Sequence, residues 1–354
     1  MIRIFYHNDL DGRCSAAIAM RNKELEAEAE AQGGFDLIEI DYTDEVPVWK
    51  IRNGEPVFIL DFSFKPDVME QVMEKTQDIT WIDHHKTATY DYGRELKGLR
   101  DVREKMFSAC ELTWMYFYRD KKMPDAVKFI GDRDKWAWKY RKDSEPFNLG
   151  MRAFPHLPQD NIWNILFVED IEGNIEGNLF IDKVQRKGET CKNFRDNLCY
   201  DYMRYGFECW LEYNKNHYLC FARGIYFFGS EGFGKNFEKY DICISFEFDG
   251  EKHVIGLYSS TVDVAEIAKS YGGGGHKGAS GFLNPTMPFR RIKWCVDTVT
   301  NKVGEIEQEK GDEVWIRGME SDTLFTTKSI NARNFKSLAE ASEYAKTRTE
   351  GVSN

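Results

Sequence analysis

The chain opens on a short apolar run, Ile2 to His7, rich in β-branched and aromatic side chains. From Gly12 to about Glu30 it changes to Ala, Ile and Met followed by Leu-Glu-Ala-Glu-Ala-Glu, a strongly helix-forming composition. Asp36 to Asp41 and Val57 to Asp61 return to short apolar runs, each ending in Asp. Lys65 to Lys75 is then amphipathic, and Ile79 to Asp83 is apolar again. Strand-sized runs separated by helix-sized ones predict an α/β fold around a parallel sheet. Three of those strands end at His7, Asp61 and Asp83. In open parallel sheets ligands collect outside the carboxyl ends of the strands, so these polar residues are the first candidates for a site.

Farther along, Phe107 to Lys121 is helical in pattern, and a short helix after Pro124 runs into Gly131-Asp132-Arg133-Asp134-Lys135-Trp136. A first domain over residues 1–150 follows, then a mostly helical connector over 151–212. The connector's Lys183, Arg186, Lys187, Lys192 and Arg195 stand among acids and read as a solvated face. His217 to Ala222, Tyr240 to Phe248 and His253 to Ser259 predict strands, and Val262 to Tyr271 a helix leading into Gly272-Gly-Gly-Gly-His276-Lys277-Gly-Ala-Ser-Gly281. A second, smaller α/β domain over 213–354 is expected, with residues 285–354 polar, mixed and unassigned.

A length of 354 residues agrees with two domains at roughly 150 residues each. The balance of 59 acidic against 48 basic residues gives −11, so any nucleic-acid partner is held locally and not by a generally basic surface. Every apolar run is broken well before the ~18 residues a membrane span needs, and Met-Ile-Arg-Ile-Phe-Tyr reads as a strand, which points to the cytoplasm and to no membrane partner. The eight cysteines include no Cys-x-x-Cys and read as reduced structural thiols.

His7-Asn8-Asp9-Leu10-Asp11 places three metal-type ligands at alternate positions, which project to one side of an extended segment. Asp61 and Asp83-His84-His85 bring further carboxylate and imidazole to the same rim. Gathered charges of one sign call for compensation, and cations supply it. Hard oxygen donors with imidazole favour manganese, with magnesium or cobalt as substitutes, over structural zinc. Asp9, Asp11, Asp61 and Asp132 would neutralise two divalent ions, the usual clamp for in-line attack on phosphorus. Four consecutive glycines suit a close backbone approach to phosphate, with His276 and Lys277 beside them.

His7-x-Asp9-x-Asp11-Gly12, Asp61, Asp83-His84-His85 and the glycine stretch ending at His276 resemble the ordered motifs of the DHH phosphoesterase superfamily with its accessory DHHA1 domain. The likeness covers about residues 1–140 and 215–283. Asp9-Leu-Asp-Gly-Arg-Cys-Ser-Ala-Ala and Asp132-Arg-Asp-Lys-Trp are most similar to nanoRNase B-like oligoribonucleases and cyclic-nucleotide phosphodiesterases. The resemblance implies that His7 and Asp9 bind one metal, that Asp11, His84 and Asp132 bind the other, and that Asp61 bridges them. Asp83 would orient His84, and His85 would face the substrate phosphate or the leaving oxygen. Asp134 is available two residues from Asp132; Asp132, directly after Phe129-Ile130-Gly131, is preferred. Gly273, Gly274, Gly275, His276 and Lys277 would hold the substrate's far end. Ser108-Ala-Cys-Glu-Leu112 reads as an N-capped core helix, and His156, His217 and His253 as structural or surface residues.

The implied activity is a manganese-dependent phosphodiesterase releasing nucleoside 5′-monophosphates from short oligonucleotides. Hydrolysis of cyclic mono- or dinucleotides or of a small nucleotide bisphosphate is the enzymatic alternative, and a non-catalytic nucleotide sensor is the other. A homodimer is left open.

Overall fold

The computed structural model describes residues 1–42, 44–85, 100–103, 106–167, 175–224, 228–319 and 323–350. The chain divides into two compact units, Met1–Phe194 and Arg195–Asn354.

In the first unit, strands β1 (Ile2–His7), β2 (Phe35–Ile40), β3 (Val57–Leu60), β4 (Ile79–Asp83) and β5 (Arg100–Arg103) pair in parallel in the order β2-β1-β3-β4-β5. Alternation sorts the side chains between two cores: Ile4, Phe58 and Ile82 pack on one face, Phe5, Ile59 and Trp81 on the other. The chain leaves β1 in opposite directions toward β2 and β3. This reversal of strand order opens a crevice at their carboxyl ends, where His7 and Asp61 stand.

The helix expected from Gly12 to Glu30 is two helices, α1 (Leu10–Met20) and α2 (Lys23–Gln32), because the Asn22 side chain accepts from Leu25 N–H and caps a new start. Helices α3 (Pro66–Lys75), α4 (Ala109–Phe117), α5 (Asp125–Asp134) and α6 (Arg141–Met151) follow. Ser108 and Glu111 close a capping box at the start of α4. Residues 151–194 belong to the first unit: Trp163, Leu166 and Val184 share a core with Cys14, Ile18, Ile130 and Phe147. Part of the expected helical connector, residues 168–174, lies outside the described residues, and its last part is the strand Phe207–Tyr213.

Among the described residues of the second unit, Gly274–His276, Ala279–Asn284, His253–Tyr258, Ile242–Phe248, Asn216–Arg223, Phe207–Tyr213 and Phe289–Arg291 form one sheet in that order. The unassigned C-terminal region is a further sheet, Leu324–Lys328, Glu313–Gly318, Val303–Lys310, Trp294–Asp297 and Ala332–Phe335, followed by the helix Leu338–Glu350. Buried Glu208 ties it in, accepting from Trp294 Nε1, from Leu338 N–H at 2.9 Å and from the Tyr240 hydroxyl at 2.6 Å.

Candidate metal centre

The site forms where β1, β3 and β4 end and α1 begins. Asp9 caps α1 through one oxygen, accepting from Gly12 N–H at 2.9 Å, while its Oδ2 lies 3.2 Å from His7 Nδ1. Asp11, inside the first turn, accepts from Ala109 and Cys110 N–H at 2.8 and 3.0 Å, so the amino end of α4 anchors its carboxylate. Asp61 follows β3 with φ of 56°, a left-handed conformation that turns its carboxylate toward the crevice floor. Its Oδ2 lies 3.7 Å from His7 Nδ1 and its Oδ1 3.3 Å from His84 Nε2. Asp134, at the last position of α5, brings Oδ2 to 3.2 Å from His84 Nε2.

Three sets of donors result, each with ligand atoms within 4.8 Å of one another: His7 with Asp9 and Asp61, Asp11 with His84 and Asp134, and Asp61 with His84 and His85. Among the described residues, both oxygens of Asp61, Oδ2 of Asp134 and Nδ1 of His7 are buried without a hydrogen bond. Buried polar atoms are ordinarily paired, so this concentration of orphans calls for a partner the chain itself does not supply. Burial and the neighbouring charges of Asp9 and Asp11 push the Asp61 carboxyl well above the usual carboxylate range. Burial and Asp11 push Asp134 up to about 7. Burial works against a charged His7, but Asp61 and Asp9 prevail and push it up to about 10. Carboxylate oxygens with imidazole nitrogen, crowded enough to retain protons against their own ordinary values, fit a divalent cation of the hard to borderline kind.

The fourth motif departs from the sequence expectation. Asp132 does not reach the cluster: its carboxylate accepts from Lys139 N–H at 2.7 Å, Tyr140 N–H at 3.0 Å and the Ser144 hydroxyl at 2.7 Å. It pins the turn after α5, and Asp134 takes the place beside Asp11 and His84. Asp132 is itself buried along α5 with Val127 and Ile130, so burial on the helix does not separate the two; the turn that folds back onto Asp132 does.

Asp83 also differs. It accepts from His85 Nδ1 at 2.8 Å, and therefore orients the His85 ring; from His84 it accepts the backbone N–H, at 2.7 Å. Burial would raise its carboxyl, but His85 and the Ser63 hydroxyl hold it down at about 2. Tyr42, stacked on Phe62 at 4.6 Å between centroids, lies 5.5 Å from the His7 ring and 5.9 Å from that of His85. Neither Tyr42 nor Ser63 belongs to a motif readable in the sequence.

The glycine stretch is a β-hairpin. Gly274, Gly275 and His276 pair with Gly281, Ser280 and Ala279, and the turn is Lys277-Gly278. A Cβ on Gly273 would stand 2.1 Å from Gly281 O, and Gly275 has φ of 137°, so strand packing itself requires glycine there. His276 is half-buried and Lys277 exposed.

No protein-family model matches the chain. Among curated proteins it is similar to the uncharacterized protein R106 of Acanthamoeba polyphaga mimivirus, 25% identical over 299 residues, 81% of this chain and 66% of that one. The chain thus spans just under two thirds of that relative's length. Among solved structures it is similar to a pGpG-specific phosphodiesterase, PggH, from Vibrio cholerae, at 15% identity and a TM-score of 0.40, covering 80% of this chain and 94% of that one. It is also similar to RecJ in complex with Mn2+ from Thermus thermophilus, at 12% identity and a TM-score of 0.41, covering 80% and 49%. At these levels of likeness the reading of the site rests on its own residues.

Proposed function

We propose that this chain is a metal-dependent phosphoesterase of the DHH type, and that it hydrolyses phosphodiester bonds in short oligonucleotides to nucleoside 5′-monophosphates. The observation that carries the reading is the carboxylate and imidazole cluster at the strand ends, whose buried oxygens lack partners within the described chain. His7 and Asp9 would hold one divalent ion, preferably manganese, and Asp11, His84 and Asp134 a second. Asp61, with one oxygen toward His7 and the other toward His84, would serve both. Such ions, when bound, lower the pKa of water and offset charge on the phosphoryl oxygens.

The chain's own residues position the substrate. Burial opposes a charged His85 ring, but Asp83, accepting the Nδ1 proton, favours the imidazolium, whose Nε2 then carries a proton for the phosphate or the leaving oxygen. Tyr42 and Phe62 wall the His7 side. The hairpin residues Gly273, Gly274, Gly275, His276 and Lys277 would hold the substrate's far end. A short substrate suits a chain of net charge −11, because a few local contacts suffice where a long strand needs a charged track.

The test is product analysis of two- to ten-nucleotide RNA and DNA, cyclic mono- and dinucleotides and pyrophosphate, each with manganese and with chelator. Mononucleotides released from short oligomers only when manganese is present support the reading. Cleavage confined to cyclic nucleotides or pyrophosphate would move the substrate class, and full turnover in chelator would end the metal assignment.

A further inference from the structure

Three rings surround the buried carboxylate of Asp61, all within the first unit. The centroids of His7 and His85 are 6.2 Å apart, and Tyr42 lies 5.5 Å from the one and 5.9 Å from the other, so the three close a nearly equilateral triangle. Asp61 joins two of its corners, with Oδ2 3.7 Å from His7 Nδ1 and Oδ1 3.8 Å from His85 Nδ1. Those two imidazoles also face Asp9 and Asp83. The third corner is different: Tyr42 uses its backbone N–H, but its hydroxyl has no hydrogen-bond partner among the described residues.

The hydroxyl end points into the cluster. Burial and the charges of Asp83, Asp61 and Asp9 act on it and push the phenol above its ordinary value, while the ring leaves the residue 50% exposed. A phenol is protonated at neutral pH with or without that shift, so Tyr42 is a neutral donor. It is also held in place. The ring stacks on Phe62 at 4.6 Å and 25°, directly after Asp61 in the chain. Tyr42 N–H donates to Asp41 Oδ1 at 2.7 Å, and Asn8 Nδ2, between His7 and Asp9, donates to Asp41 Oδ2 at 3.0 Å. The ends of the strands Ile2–His7 and Val57–Leu60, which carry the cluster, therefore also fix Tyr42.

We infer that Tyr42 is a further catalytic residue, whose hydroxyl donates a hydrogen bond to a non-bridging oxygen of the scissile phosphate. The inference rests on the phosphodiesterase reading above and adds to it a residue outside the sequence motifs. Negative charge in phosphoryl transfer is spread over the non-bridging oxygens, and a donor fixed before the substrate arrives stabilises it without reorganisation. The phenol keeps its proton: water supplies the oxygen that joins phosphorus as the bond to the leaving oxygen breaks. A base stacked on the ring would need the aromatic face of Tyr42 and not its hydroxyl, which makes the two uses separable.

The experiment measures kcat and KM for a diadenylate, with manganese, in wild type, Tyr42→Phe and Tyr42→Ala. Tyr42→Phe keeps the stack on Phe62 and should lower kcat about tenfold or more, with KM within about threefold. Its melting temperature and the manganese-induced rise in it should match wild type, which excludes a lost fold or a lost ion. The two phosphorothioate diastereomers of the dinucleotide supply a second readout, because sulfur is a weak acceptor. One of them should be slowed in wild type by a factor that Tyr42→Phe brings within about twofold, the sign that hydroxyl and oxygen are coupled. Wild-type turnover in Tyr42→Phe overturns the role, and if Tyr42→Ala alone is slow the ring is a stacking surface instead. Sulfur effects that Tyr42→Phe leaves unchanged in both diastereomers overturn it as well. If wild type cleaves no diester, the phosphodiesterase reading fails and this role with it; cleavage that Tyr42→Phe does not affect removes only the role.

Discussion

At Asp61 a carboxylate that is 1% exposed sits in left-handed backbone with both oxygens lacking hydrogen bonds among the described residues. Asparagine tolerates that backbone nearly as well as aspartate and removes the charge, so Asp61→Asn isolates the electrostatics from the geometry. In the metal-free protein at pH 8 it should raise the melting temperature. In the presence of manganese it should lower turnover on the order of 100-fold or more, since it would remove a donor common to both ion sites. Asp132 and Asp134 should separate in the opposite sense. Asp132→Asn breaks up a carboxylate with three donors and should cost about 2–4 kcal/mol of stability while the manganese-induced rise in melting temperature survives. Asp134→Asn should leave metal-free stability intact or improved and abolish that rise. The spacing of His7, Asp9 and Asp11 is legible in the sequence because alternate residues of an extended segment share a side. The choice between Asp132 and Asp134 is not legible from spacing, because it depends on a turn that folds back over Asp132.

Helix α1 begins almost in contact with the end of β1, and this packing brings Asp9 to His7 and Asp11 to His84. A Cβ on Gly12 would stand 2.3 Å from His7 O, a backbone atom that cannot swing aside. Gly12→Ala should therefore cost about 1–3 kcal/mol and weaken manganese binding together with stability, as followed by thermal melts with and without the ion. Unchanged melting and binding would show that the helix start has slack. The parallel strands are readable from short apolar runs ending in polar residues, and the capped helix from Ser108 and Glu111. Helix α6 is not, because Pro146 in its interior breaks the local pattern and tertiary packing of Phe147 and Met151 overrides it. In the C-terminal sheet the strand Leu324–Lys328 alternates only half-buried and exposed residues, and the sheet's place is set by distant partners such as Glu208.

Over the whole molecule, the −11 net charge and the crowded carboxylates make stability depend on pH in a definite direction. Asp134, at about 7, and His7, at about 10, bind protons more tightly in the folded chain than their ordinary values allow, so folding is favoured while those protons are held. Metal-free stability should fall as pH rises, through Asp134 between about 4 and 7 and through His7 above roughly 6.5. The carboxyls held low, Asp9 and Asp83, act at the other end and lose their contribution as pH falls below about 4. Manganese should flatten the fall above pH 5, and thermal melts with and without the ion check it. The proposed metal centre is one cluster that holds two ions, both of them needed to cleave a phosphodiester. Its most direct measurement is turnover of a phosphorylated dinucleotide against equivalents of manganese added to metal-free protein. Turnover should stay low up to one equivalent, then rise and level off at two. Full turnover at one equivalent, or none at any ratio, would contradict it.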